Sequence, residues 1–132
     1  MFSKHFTPKE ANKRLPYVKK IVGEILIKGK RLRELLKHNE GQDISFERDT
    51  FQLQIENLMD ELEEMGCFYK DWNFEVGLVD FPAVIEEEEV LLCWKSDERE
   101  ILWYHGVEDG FAGRRPIPEQ WLFDMNDVFK DS

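Results

Sequence analysis

Cysteine is scarce in this chain: Cys67 and Cys93 are the only two, and neither sits in a CxxC or a Cys/His ligand spacing, which excludes a disulfide framework and a zinc finger. Each has an apolar neighbour, and both read as free, inert, buried thiols. No apolar run approaches the roughly 18–20 residues of a membrane span. The start, Met1-Phe2-Ser3-Lys4-His5, carries no apolar signal core, so the expectation is a cytoplasmic protein without membrane association. Positive charge is also short, with 18 Lys and Arg against 28 Asp and Glu and a net charge of −10. Such a field repels phosphate backbones and anionic lipid, so nucleic acid is not an expected partner. No Gly-Lys-Ser/Thr sequence of a P-loop occurs either.

The 132 residues that remain are rich in core material, 42% hydrophobic and 13% aromatic, enough for one domain that buries roughly two thirds of its unfolded surface. Charge is divided along the chain. Residues 1–50 hold twelve basic side chains against seven acids, and residues 51–132 hold six against twenty-one. The two parts attract each other, within one chain or between the chains of a symmetric pair, and a homodimer is the expected assembly.

Thr7-Pro8-Lys9-Glu10 reads as a helix start, with Thr7 as N-cap, Pro8 at the tolerated first position and Glu10 closing a capping box. Ala11, Leu15, Val18, Val22, Ile25, Gly29, Leu32 and Leu36 then follow alternating steps of four and three, predicting a helix to about Lys37. Pro16 is expected to bend it near Asn12, and Gly29 to leave a flat spot where another backbone approaches. A polar break at His38–Gln42 precedes a second helix, capped by Asp43 or Ser45 and ended by Gly66, with Phe51, Ile55, Leu58, Leu62 and Met65 in the same spacing. A short connection makes residues 7–66 an antiparallel hairpin, whose outer apolar residues, Ile21, Leu26, Leu35 and Met59, require a sheet or a second subunit.

From Val76 the pattern becomes β-branched and aromatic, predicting strands Val76–Ile85, Glu89–Lys95 and Glu100–Gly106 over residues 76–106. With Glu86-Glu87-Glu88 and Ser96–Arg99 as turns, the register aligns Asp80 with Trp94 and Ile101, then Pro82 with Leu92 and Trp103, then Val84 with Val90 and His105. Cys93 falls on the opposite face. Both faces are apolar, so one meets the hairpin and the other the C-terminal tail or a partner. Residues 107–132 form a Gly/Arg loop and a tail in which Trp121-Leu122-Phe123 and Val128-Phe129 predict a short covering helix.

Chemistry concentrates after the last strand. In His105-Gly106-Val107-Glu108-Asp109-Gly110-Phe111-Ala112-Gly113-Arg114-Arg115, glycines free backbone N–H groups and two guanidinium groups offer forked donors, a setting for a phosphate or carboxylate. The competing reading is a turn whose arginines pair with nearby acids. Asp80, His105 and Glu108 supply acid, imidazole and acid, a set able to ligate a divalent metal or transfer protons, although a structural His is the commoner outcome. Trp94, with Trp103 and Tyr104, lines a pocket or packs as core. The Glu86–Glu89 run reads as a solvated hairpin tip, and the basic face of the first helix as the partner of the acidic half.

Gly77-Leu78-Val79-Asp80-Phe81-Pro82, Leu92-Cys93-Trp94, Trp103-Tyr104-His105-Gly106 and Gly110–Pro116 resemble, in this order, a bacterial family catalogued as domain of unknown function 2203. Phe6-Thr7, Leu15-Pro16 and Lys70-Asp71 extend the likeness to nearly the whole chain. It implies a small bacterial cytoplasmic protein and brings no catalytic residues. The expectation is therefore an α+β domain, a long antiparallel helical hairpin followed by a small three-stranded antiparallel sheet and a C-terminal loop or short helix. The favoured function is a nonenzymatic, self-associating module whose Gly/Arg loop binds a small anion or a protein. The alternative is a small-molecule enzyme, hydrolytic or metal-assisted, with His105 as acid or base, Asp80 or Glu108 as orienter or metal ligand, and Arg114 or Arg115 holding an anionic substrate. The sequence names no cofactor.

Overall fold

Thr7 starts the first helix by accepting the Glu10 N–H at 3.1 Å, and Pro8 occupies the first turn, where its missing donor costs nothing. The computed structural model describes residues 2–122. Helix α1 (Pro8–Lys37) runs through Pro16, and α2 (Ser45–Met65) returns beside it. Neither expected residue caps α2: Ile44 stands at the N-cap with no side-chain capping bond, while Asp43 just before it accepts the N–H of the first helical residue, Ser45, at 3.0 Å, and Gly66 closes the helix in a left-handed conformation, φ 97°. Among the described residues, no helix is long and apolar enough to cross a membrane.

The sheet has five strands, not three. Strands β1 (Phe68–Tyr69), β2 (Leu78–Ile85), β3 (Glu88–Lys95), β4 (Trp103–Gly106) and β5 (Arg115–Pro116) pair antiparallel in sequence order. The two added strands are two residues each, too short to show a period, and exist because the edges of β2 and β4 have free backbone groups to pair. A four-residue helix, α3 (Glu119–Leu122), follows. The expectations for Phe123, Val128 and Phe129 lie outside the described residues.

The register differs from the expected one by a single residue. Glu86 and Glu87 both take positive φ, 51° and 68°, so the β2–β3 turn spends two residues where three were expected. Asp80 therefore faces Cys93, Pro82 faces Leu91, and Val84 faces Glu89. Strand β4 is in turn shifted, with His105 opposite Leu91 and Trp103 opposite Cys93, while Ile101 stands before the strand. Because side chains alternate, this slip exchanges Trp94 and Cys93 between faces.

One face carries Val79, Phe81, Leu92 and Trp94, which join Ala11, Leu15, Val18, Val22 and Ile25 of α1 in one buried cluster. Polar ties hold α1 to the chain before β4. Asn12 Nδ2 donates to the Ile101 carbonyl at 3.2 Å while its Oδ1 accepts the Ile101 N–H at 2.8 Å. Lys19 donates to the Arg99 carbonyl at 2.9 Å. Gly29 receives an aromatic ring rather than a backbone: Phe74, at φ 57°, occupies the space a Cβ at Gly29 would fill.

Two stability predictions result. An interior helical Gly→Ala change ordinarily stabilises by about 0.5–1 kcal/mol, whereas Gly29→Ala displaces Phe74 and is expected to cost about 1–2 kcal/mol in urea unfolding. A gain in stability would show that the ring does not sit there. Replacing Glu86-Glu87 by Asn-Gly, which tolerates positive φ, is expected to raise stability by about 1–2 kcal/mol in the same measurement.

Candidate functional site

The second face of the sheet holds Leu78, Asp80 and Pro82 of β2, Leu91 and Cys93 of β3, and Trp103 and His105 of β4. Asp80 and His105 are 5% and 3% exposed and are the only buried charged or ionisable polar residues among those described, apart from the thiols and Tyr69. Burying such groups costs several kcal/mol unless they are paired. Here they pair with each other, His105 Nε2 lying 3.2 Å from Asp80 Oδ1. Cys93 completes the group, and one donor atom from each of the three lies within 4.8 Å of the others.

The proton inventory of this cluster is constrained. His105 Nδ1 lies 2.8 Å from the Gly106 carbonyl, which accepts only, so Nδ1 carries the proton. In the neutral ring Nε2 then presents a lone pair to Asp80. An ionised Asp80 would add a second acceptor, so the pair requires either a proton or a cation between its atoms. Burial raises the Asp80 pKa, opposed by the charge and hydrogen bond of His105. Burial also pushes the Cys93 thiol up to about 12, with the Asp80 charge acting in the same direction and Arg114 against it. Without a metal, Cys93 is a thiol at neutral pH.

These three side chains line a cavity of about 320 Å³ whose walls include Leu78, Leu91, Val107 and Phe111, with Lys70 also contributing. Gly110, at φ 67°, lets the loop after β4 turn back over the strand ends. The Nδ1–H bond to a backbone carbonyl is the outer contact that orients metal-binding histidines, leaving Nε2 as the donor. Imidazole, thiolate and carboxylate suit a tetrahedral zinc-type ion, whose ligand atoms stand about 3.3–3.8 Å apart.

The remaining expected site residues are placed elsewhere. Trp94 is in the core on the other face, its Nε1 donating to the Glu98 carbonyl at 2.9 Å. Glu108 is exposed and does not line the cavity. Arg114 Nη2 reaches both Glu98 carboxylate oxygens, at 2.7 and 2.9 Å, and the Cys93 carbonyl at 3.2 Å, with its guanidinium over the rings of Trp103 and Phe111. Arg115 lies over the Tyr104 ring at 4.9 Å. Arg114 thus ties the loop to β3 and to the β3–β4 turn, while Arg115 packs on β4. The residue that sequence reasoning set aside is Cys93. Its only signal was the parity of the β2–β3 turn, since a two-residue turn puts Cys93 beside Asp80.

The raised thiols have a consequence for stability. Cys67 and Cys93 hold their protons to about 12 in the folded chain against 9.0 ordinarily. The folded state therefore binds more protons between those values, and stability falls as pH rises through that window. Urea midpoints of the metal-free chain are expected to decline from about pH 9 to about 12, and Cys93→Ala to decline less steeply; parallel profiles would show that Cys93 is not shielded.

Residues 4–117 match the family described as uncharacterized conserved protein (DUF2203), and the chain belongs to that family. No curated protein and no solved structure matches it.

Proposed function

We propose that this member of the DUF2203 family binds a divalent transition-metal ion, of the zinc type, through Asp80, Cys93 and His105, and acts as a metal-assisted enzyme on a small molecule admitted to the adjoining cavity. The observation that carries this reading is the convergence of oxygen, sulfur and nitrogen donors, all buried, on one cavity. Structural zinc sites are closed by four protein ligands, whereas three leave a position for water or substrate. A bound ion of this kind lowers the pKa of water and polarises carbonyl or phosphoryl oxygen, which makes hydrolysis the favoured reaction class.

The protein's own residues have defined parts. Gly106 holds the His105 ring through Nδ1, so that Nε2 remains the donor. Asp80 brings the negative charge that offsets a cation in this apolar setting. Cys93 surrenders its proton on binding, which makes affinity rise with pH. Leu78, Leu91, Val107 and Phe111 restrict water, and Lys70 favours an anionic group on the substrate.

Titration of metal-free protein with cobalt and zinc tests the reading. One ion per chain is expected, with a sulfur-to-cobalt charge-transfer band in the absorption spectrum and proton release in calorimetry run in buffers of different ionisation enthalpy. Cys93→Ser should abolish the band, and Asp80→Asn or His105→Ala should weaken binding at least about tenfold, about 1.4 kcal/mol, while Glu108→Gln leaves it unchanged. Absence of stoichiometric binding, or binding indifferent to Cys93, would overturn the assignment. Given binding, chelator-reversible hydrolysis of small anionic esters, amides or phosphomonoesters is the activity to measure, and none across these classes would remove the enzymatic part.

A further inference from the structure

The two long helices carry opposite charge. Helix α1 has ten basic residues against three acids, and α2 has seven acids against one base. Side by side in one hairpin, they would be expected to neutralise each other, yet among the described residues no ion pair runs from the Lys13–Lys37 part of α1 to a carboxylate of α2. Among the pairs these helices do make are Arg33 with Glu75, His38 with Glu34, and Arg48 with Asp49. Their charge points outward as a basic ridge beside an acidic ridge.

Apolar side chains stand exposed along the same ridges. Tyr17 and Ile27 on α1, and Phe46 and Leu53 on α2, are each more than half exposed, Phe46 reaching 84%. Phe46 and Leu53 are seven residues apart, two helical turns, and so share a face. A groove follows the junction of the helices, lined by Tyr17, Ile27 and Glu61 toward one end and by Arg31, Leu35 and Phe51 toward the other. The sheet covers the inner face of the hairpin; nothing in the chain's described residues covers this one.

We infer that a second copy of this chain occupies the groove, hairpin against hairpin, forming a four-helix layer between two outward-facing sheets. Charge selects the symmetry. A two-fold axis perpendicular to the helices would stack α1 on its equivalent and α2 on its own, placing like charges together. An axis parallel to the helices instead sets each α1 over the partner's α2, so that basic and acidic helices alternate around the bundle and every neighbouring pair is antiparallel. Two helices about 10 Å apart and about 30 Å long offer a face on the order of 600–800 Å², close to the roughly 800 Å² per partner of a stable interface. The arrangement is independent of the metal reading, because the cavity opens on the far side of the sheet.

Sedimentation equilibrium of the full chain, from micromolar to millimolar concentration in low and in molar salt, tests this. A dimer that weakens on adding salt is expected. Phe46→Ser with Leu53→Ser changes only exposed positions and should give a monomer with unchanged circular dichroism. Charge reversal tests the pairing directly: Lys20→Glu with Arg31→Glu sets acids on the α1 side of the groove against the acidic helix, and Asp60→Lys with Glu64→Lys sets bases on α2 against the basic helix. Each should be monomeric alone, and mixing the two should restore a dimer containing one of each. A monomer at every concentration, or a dimer that both reversed chains still form alone, would overturn the proposal.

Discussion

The pairing of β2 with β3 is the constraint from which both faces of this sheet take their composition. With two residues in the turn, the odd positions of β2 and the even positions of β3 look toward α1, and the even and odd positions respectively look away. One residue more would put Trp94 among the polar groups and Cys93 under the helix. The turn residues, Glu86 and Glu87, sit at positive φ, where an L residue with a side chain is held at a cost of about 1 kcal/mol or more each. That cost is met by burial: a slip would expose Phe81, Leu92 and Trp94 together, at about 1.5–3 kcal/mol for each large apolar side chain.

The two faces serve different ends. The α1 side is a packed apolar cluster, closed at its margins by Asn12 on Ile101 and Phe74 on Gly29. The other side contains a buried carboxylate, imidazole and thiol that a structure selected for stability alone would replace by hydrocarbon. Their burial depends on the loop after β4. Arg114 anchors that loop through Glu98 and the Cys93 carbonyl, and Glu98 also accepts the Lys95 N–H at 2.7 Å. The arginine offered by the sequence to an anionic ligand thus places its Nη2 on Glu98 and on the Cys93 carbonyl, which ties the loop that walls the cavity to β3.

Legibility followed the range of the interactions. The caps at Thr7 and Gly66, the ends of α1 and α2, and the existence of β2, β3 and β4 were readable because each depends on residues within a turn or two along the chain. Strands β1 and β5 were not, because two residues acquire strand geometry only from a neighbour distant in sequence. Asp80 and His105 were recognised as chemically suggestive and assigned to one face, but two rows apart. Their contact at 3.2 Å and the presence of Cys93 between their strands depend on a register that composition does not state.

By itself, the sequence determined the helical hairpin, the change to β structure after it, the acidic balance and the membership of one uncharacterized family, all properties carried by local pattern or by motif order. Only the tertiary structure decided which face each strand residue occupies, that Arg114 reaches Glu98 and the Cys93 carbonyl, and that Asp80, Cys93 and His105 form one buried group. The physical reason is the two-residue period of a β-strand: a single residue in a turn reverses every side chain beyond it, and the choice is made by the packing of the whole sheet against α1.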